Sequence, residues 1–131
     1  MIFKAVDRES GRVVGHIELN AIDRANRSAS IARVLVGDPA CRGRGVGREM
    51  VRAALRIAFG ELGLHRVDLR VFTTNAPAIA CYRQLGFVTE GLFRDVRRVG
   101  DAYWSTCQMS LLESEWRPGG AATPDGEAGD G

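Results

Sequence analysis

Three glycines in alternate positions, Gly43, Gly45 and Gly47, stand where an amphipathic helix should begin, with Arg42, Arg44 and Arg48 among them. Upstream, "IARVLVGD" (31–38) is apolar and β-branched, the pattern of a central strand. Downstream, Val46, Met50, Val51, Ala54, Leu55, Ala58 and Phe59 recur at helical spacing while Arg48, Glu49, Arg52 and Arg56 lie off the stripe. That spacing predicts a helix over 45–59. Glycine is a poor residue with which to start a helix. Its use is understandable where something must approach the helix start closely. The first N–H groups of a helix lack internal partners, and its dipole favours an anion there by about 0.3–1 kcal/mol per exposed charge. Without Cβ atoms in the way, a phosphate can reach the backbone, and flanking arginines add charge-assisted donors. The stretch therefore reads as a diphosphate cradle; an ordinary glycine-rich turn is the plain alternative.

The rest of the chain reads as a single mixed α/β domain. "IFKAVD" (2–7) and "VVGHIELNAI" (13–22) form a hairpin around the turn "ESGR", and "DRANRSAS" (23–30) is a polar loop. "RVDLRVFT" (66–73) alternates, with Val67, Leu69 and Val71 on one face. "NAPAIACYRQLG" (75–86) is a short helix with Asn75 as N-cap, Pro77 in the first turn and Gly86 as the stop. Residues 87–100 make a strand and turn, and 101–116 a final strand with a polar end. The order is β-β-β-α-β-α-β-β. Residues 117–131 carry no aliphatic side chain larger than alanine and read as a disordered tail, leaving a folded domain over 1–116.

Composition excludes several functions. A formal net charge of only +2 argues against a nucleic-acid binder. Three cysteines without metal spacing point to free thiols, a reducing compartment and no metal site. No signal peptide and no membrane-length apolar run are visible, so the expectation is a cytoplasmic protein without a membrane partner.

The dinucleotide fingerprint G-x-G-x-x-G fails, because Arg48 stands where its last glycine should be, and no Gly-Lys-Ser/Thr follows for a P-loop. Arg42, Gly45 and Gly47 do match Gln/Arg-x-x-Gly-x-Gly/Ala, the coenzyme A loop of the GNAT acetyltransferases. Asn75, Ala78, Tyr82, Gly86 and Phe87 match that family's second motif, Asn-x-x-Ala-x-x-x-Tyr-x-x-x-Gly-Phe. The chain thus resembles GNAT enzymes from about Ile2 to Trp116. "GHIELNAID", "HRVDLRVF" and "EGLFRD" look like the branch with ribosomal-protein and spermidine acetyltransferases.

The resemblance implies a central, mostly antiparallel sheet with a splayed strand pair and flanking helices. It implies acetyl-CoA as cosubstrate and a primary amine as acceptor: a peptide N-terminus, a polyamine or an amino sugar. Backbone groups of Val34, Leu35 and Val36 would hold the pantetheine arm. Amides of Arg42, Gly43, Arg44, Gly45, Val46 and Gly47 would hold the pyrophosphate. Asn75 would contact the pantetheine side, and Tyr82 would sit by the thioester sulfur. The family's usual glutamate base has no counterpart at Ser30–Ile31–Ala32, so Glu18 is the expected base, with His16 on the same face as a weaker substitute. Ser105 stands where several relatives carry aspartate. The chain starts directly at the hairpin, which reads as an N-terminally shortened member with strand 2–7 as an open edge and hence a possible homodimer. A non-catalytic acyl-CoA-binding module or inactive relative is the alternative function; nucleotide binding by the glycine loop alone would leave the second motif unexplained.

Overall fold

The computed structural model describes residues 1–6, 10–36 and 45–117. The chain divides into two compact units, Met1–Val67 and Asp68–Gly131. In the first, β1 (Ile2–Val6), β2 (Val13–Asp23) and β3 (Ser28–Val36) form an antiparallel meander. β3 starts earlier than the polar composition of 23–30 suggests. Ser28 and Ser30 are half-buried about a buried Ala29, so "SASI" alternates as a strand does. The connection shrinks to a tight turn because the Asp23 carboxylate accepts from the backbone N–H of Asn26 at 3.0 Å and from its Nδ2 at 2.8 Å. These bonds, the backbone one foremost, hold the Asp23 carboxyl below its usual range.

α1 (Val46–Leu55) lays Met50, Val51, Ala54 and Leu55 into the core of this unit with Ile17, Leu19, Ala29 and Ile31. It does not continue as an α-helix to Phe59. Residues Arg56–Glu61 form a π-helical turn, closed by Leu62 N–H donating to Ile57 C=O at 2.8 Å. The apolar pairs 50/51, 54/55 and 58/59 explain the change. At roughly 100° per residue, each step of four drifts about 40° around an α-helix. The wider turn takes back that drift, so Ala58 and Phe59 remain buried.

The second unit holds most of β4 (Arg66–Phe72), then α2 (Ala76–Gln84), β5 (Val88–Val99) and β6 (Ala102–Leu112), with a closing 3₁₀ turn at Glu113–Glu115. Its strands lie in the order β4-β6-β5. Leu69 and Val71 of β4 are buried, as are Tyr82 and Phe87 at the end of α2, and Cys107, Met109 and Leu111 of β6. Residues 87–100 are strand almost throughout, because β5 and β6 turn tightly: Val99 pairs with Ala102 across Gly100, whose φ is +61°.

Both ends of α2 are set by local chemistry. Asn75 Oδ1 accepts from Ala78 N–H at 3.3 Å, and Pro77 sits in the first turn. At the other end, Gly86 N–H donates to Arg83 C=O and Phe87 N–H donates to Tyr82 C=O, each at 3.0 Å. This is the Schellman arrangement, and its accompanying apolar contact is the Tyr82 ring against Phe87, with centroids 5.7 Å apart. Gly86 has φ +102°, and a Cβ there would stand 3.3 Å from Leu111 Cδ1. Gly86→Ala should therefore destabilise the protein by about 1–3 kcal/mol in urea unfolding, and Gly86→Asn by less than Gly86→Ala.

Candidate active site

The first unit presents the coenzyme motif. In the β2–β3 ladder, His16 pairs with Leu35 and Glu18 with Ala32, so Arg33 and Val34 together stand opposite the single residue Ile17. Such a bulge takes backbone groups out of the ladder. It falls at Val34, the start of the segment that the family resemblance implies for the pantetheine arm, and Leu35 and Val36 complete β3. Arg42, Gly43 and Arg44 lie outside the described residues.

Gly45 is the N-cap of α1, in a left-handed conformation with φ +79° and ψ 8°. Among the described residues no side chain caps the helix, and a Cβ on Gly45 would meet none of them within 4 Å. Val46 and Gly47 form the first turn. Among the described residues, then, nothing competes for the first N–H groups of this helix, which is a fit for an anionic group. α2 is the internal control, because its own Asn75 satisfies its first turn. With Oδ1 accepting the cap bond, Asn75 still has both Nδ2 donors to offer a ligand.

Tyr82 is buried one turn before the Schellman cap, which fixes its ring against Phe87. Among the described residues, no hydrogen bond to its hydroxyl is found. Burial, with a smaller contribution from the neighbouring Cys81, pushes the phenol up to about 12. The group is a neutral O–H donor at any physiological pH.

Glu18 lies half-buried on β2, on the face opposite the buried Ile17 and Leu19; His16, on the same face, is exposed. Lys4 pairs with His16 and Ile2 with Glu18 across β1. Asn20 Nδ2 donates to Glu18 Oε1 at 2.8 Å. That partner was not foreseen, although two residues' separation on a strand puts both side chains on one face. Ser105 accepts backbone N–H groups on two sides. Its Oγ takes Asp95 N–H at 3.0 Å, and its carbonyl takes Thr73 N–H at 3.0 Å.

Among the described residues no cluster of three His, Cys, Asp or Glu could hold a metal, and no helix is long and apolar enough to cross a membrane. Cys81, half-buried, and Cys107, buried, form no disulfide among the described residues; Cys41 lies outside them.

Residues 2–87 match the profile of the Acetyltransferase (GNAT) family. The chain is 29% identical over 111 residues to the spermidine N(1)-acetyltransferase of Vibrio cholerae, covering 85% of this chain and 63% of that protein. It is 37% identical over 98 residues to the N-alpha-acetyltransferase RimI of Mycobacterium tuberculosis, covering 73% and 60%. The crystal structure of the V. cholerae spermidine N-acetyltransferase with CoA and spermine resembles it with a TM-score of 0.80 at 29% identity, over 87% of this chain and 66% of that one. The chain thus spans a little under two thirds of the length of these relatives. With a family profile over most of the described residues and a shared mixed α/β architecture, the chain belongs to the GNAT acetyltransferase family.

Proposed function

We propose that this protein is an acetyl-CoA-dependent N-acetyltransferase that transfers the acetyl group to a primary amine by direct attack in a ternary complex. The observation that carries the reading is Tyr82: a buried, neutral phenol, locked by the Schellman cap, with no hydrogen-bond partner among the described residues. A module that only binds acyl-CoA has no need of such a group. The relatives named above support the acceptor class, since spermidine and a protein N-terminus both present a primary amine.

Bound acetyl-CoA supplies an acetyl thioester with a thiol leaving group. The bulged backbone at Val34, with Leu35 and Val36, receives the pantetheine arm, and Asn75 contributes its Nδ2 donors to the same group. The backbone from Arg42 through Gly47 receives the pyrophosphate at the uncapped start of α1. Tyr82 donates a hydrogen bond to the sulfur as the C–S bond breaks. It does not hand over its proton: transfer from a phenol at about 12 to a thiolate of ordinary basicity, pKa ~8.5, is uphill by ~5 kcal/mol. The amine supplies that proton. An alkylamine of pKa ~10.4 is only about one part in 10³ neutral at pH 7, so a carboxylate that takes its proton lowers the barrier. Glu18 fills this role, with Asn20 holding one of its oxygens.

Calorimetric titration with acetyl-CoA should give saturable binding to the 131-residue chain, weakened at least tenfold, about 1.4 kcal/mol, by Arg44→Glu with Gly45→Asp. A folded chain that does not bind would remove the reading altogether. Free-thiol release should then appear with one of spermidine, an N-terminal peptide or glucosamine. Tyr82→Phe should lower kcat by about 10²-fold while leaving acetyl-CoA affinity within about threefold. Saturable binding without thiol release from any amine would assign the chain to the non-catalytic alternative.

The phenol also makes a prediction for pH. A group whose value is raised on folding stabilises the fold fully below its unfolded value and loses that contribution as pH rises through the folded one. For Tyr82 the window runs from about 10 to about 12. Absorbance titration of wild type minus Tyr82→Phe should therefore show tyrosinate forming near pH 12, and no basic limb of kcat below pH ~11 should disappear in the variant.

A further inference from the structure

Glu18 and Asn20 are both half-buried on the face of β2 opposite the buried Ile17 and Leu19. A carboxylate has no hydrogen to give, so the 2.8 Å contact between them is Asn20 Nδ2 donating to Glu18 Oε1, and this fixes which way the amide points. The amide oxygen, Oδ1, is left as an acceptor, with no hydrogen-bond partner among the described residues. Its place relative to the carboxylate is bounded. The oxygen and nitrogen of an amide lie about 2.3 Å apart, so Oδ1 stands at most about 5.1 Å from Glu18 Oε1. One nitrogen donating to two oxygens at about 2.9 Å each can bridge up to about 5.8 Å. The pair therefore offers a single nitrogen two acceptors, one charged and one neutral. Their partners across the β2–β3 ladder are small, Ala32 beside Glu18 and Ser30 beside Asn20.

We propose that Asn20 is a specificity-determining residue of the acceptor site: its Oδ1 accepts an N–H of the same nitrogen that gives a proton to Glu18. This deepens the acetyltransferase reading and rests on it. A primary ammonium carries three N–H bonds. One proton goes to Glu18 and frees the lone pair. A second leaves as the C–N bond forms and the C–S bond breaks, the electron pair of that bond departing on sulfur and the proton following it. The third hydrogen stays in the amide product, and it is the one Asn20 receives throughout. A secondary amine has no such hydrogen left, so its attack leaves Oδ1 without a donor. The pair thus selects primary over secondary amines.

Thiol release from acetyl-CoA, followed with spermidine, an N-terminal peptide and glucosamine and with a derivative of each methylated on the reacting nitrogen, tests this. Wild type should prefer the primary amine by at least about tenfold in kcat/KM. Asn20→Leu, similar in size and without a polar atom, should cut that preference to within about threefold and raise KM for the primary amine. Asn20→Asp keeps an oxygen and loses the donor to Glu18, so it should retain the preference while kcat falls. A role confined to packing would slow both kinds of amine alike and leave the ratio where it was. That result, a wild type without the preference, or a preference lost equally in both variants overturns the inference. Acetyl-CoA affinity within about threefold of wild type will show that the variants fold. A wild type that turns over amines while Asn20→Leu keeps the wild-type ratio removes this inference alone; no thiol release from any amine removes the acetyltransferase reading with it.

Discussion

The carbonyl of Tyr82 accepts two backbone N–H groups, from Leu85 at 3.1 Å and from Phe87 at 3.0 Å. Those bonds end α2, force Gly86 into a conformation only glycine adopts without strain, and launch the chain toward β5 with Phe87 buried. They also decide where the Tyr82 ring can lie. The Schellman motif brings its third residue from the end against the second residue beyond it, here Tyr82 against Phe87. Thus Tyr-x-x-x-Gly-Phe is first a helix terminator, and the placement of a phenol follows from it. A packing requirement and a chemical one share the same three residues.

The two helix starts solve one problem in opposite ways. Every helix begins with N–H groups that its own backbone cannot satisfy. α2 satisfies them with Asn75 and so presents a closed N-terminus. α1 begins at a glycine with no side chain to offer, and among the described residues no side chain caps its first donors. The bulge at Arg33 and Val34 does the same for a strand. The coenzyme site proposed for the first unit would thus draw on irregularities in backbone pairing, beside the arginines of the glycine stretch. This is why glycines mark it in sequence, and why the residues that would hold pantetheine, Val34, Leu35 and Val36, look like ordinary core strand.

That contrast explains what the sequence could disclose. α2 was legible to the residue because its caps are local: Asn75, Pro77 and Gly86 act within one turn of themselves. The alternation of β4 was legible because Val67, Leu69 and Val71 are buried on one face. The π turn was not, since its cause is the accumulated drift of three apolar pairs against a core, a tertiary effect. Nor was the early start of β3, where serines at half-buried positions look like loop. The bulge opposite Ile17 depends on register between two strands, which one strand's pattern does not carry. Parts of the reading fall outside the described residues: Arg42, Gly43 and Arg44 of the cradle, and 118–131 of the tail.

Burial of Tyr82 has a consequence for the other half of the reaction. From composition alone, a tyrosine near pKa ~10 facing a thiol near ~8.5 leaves proton transfer about 2 kcal/mol uphill, within reach of modest tuning. Desolvation moves the phenol the wrong way for that role and the right way for a hydrogen-bond donor. Proton management then passes to the amine side. A base there must be held in place, partly shielded and on the face of β2 away from the core. Glu18 is half-buried on that face, and Asn20, two residues on, holds its Oε1. In the proposed mechanism, the same desolvation that disqualifies the tyrosine as an acid leaves removal of the amine proton to a base, the role proposed for the carboxylate on β2.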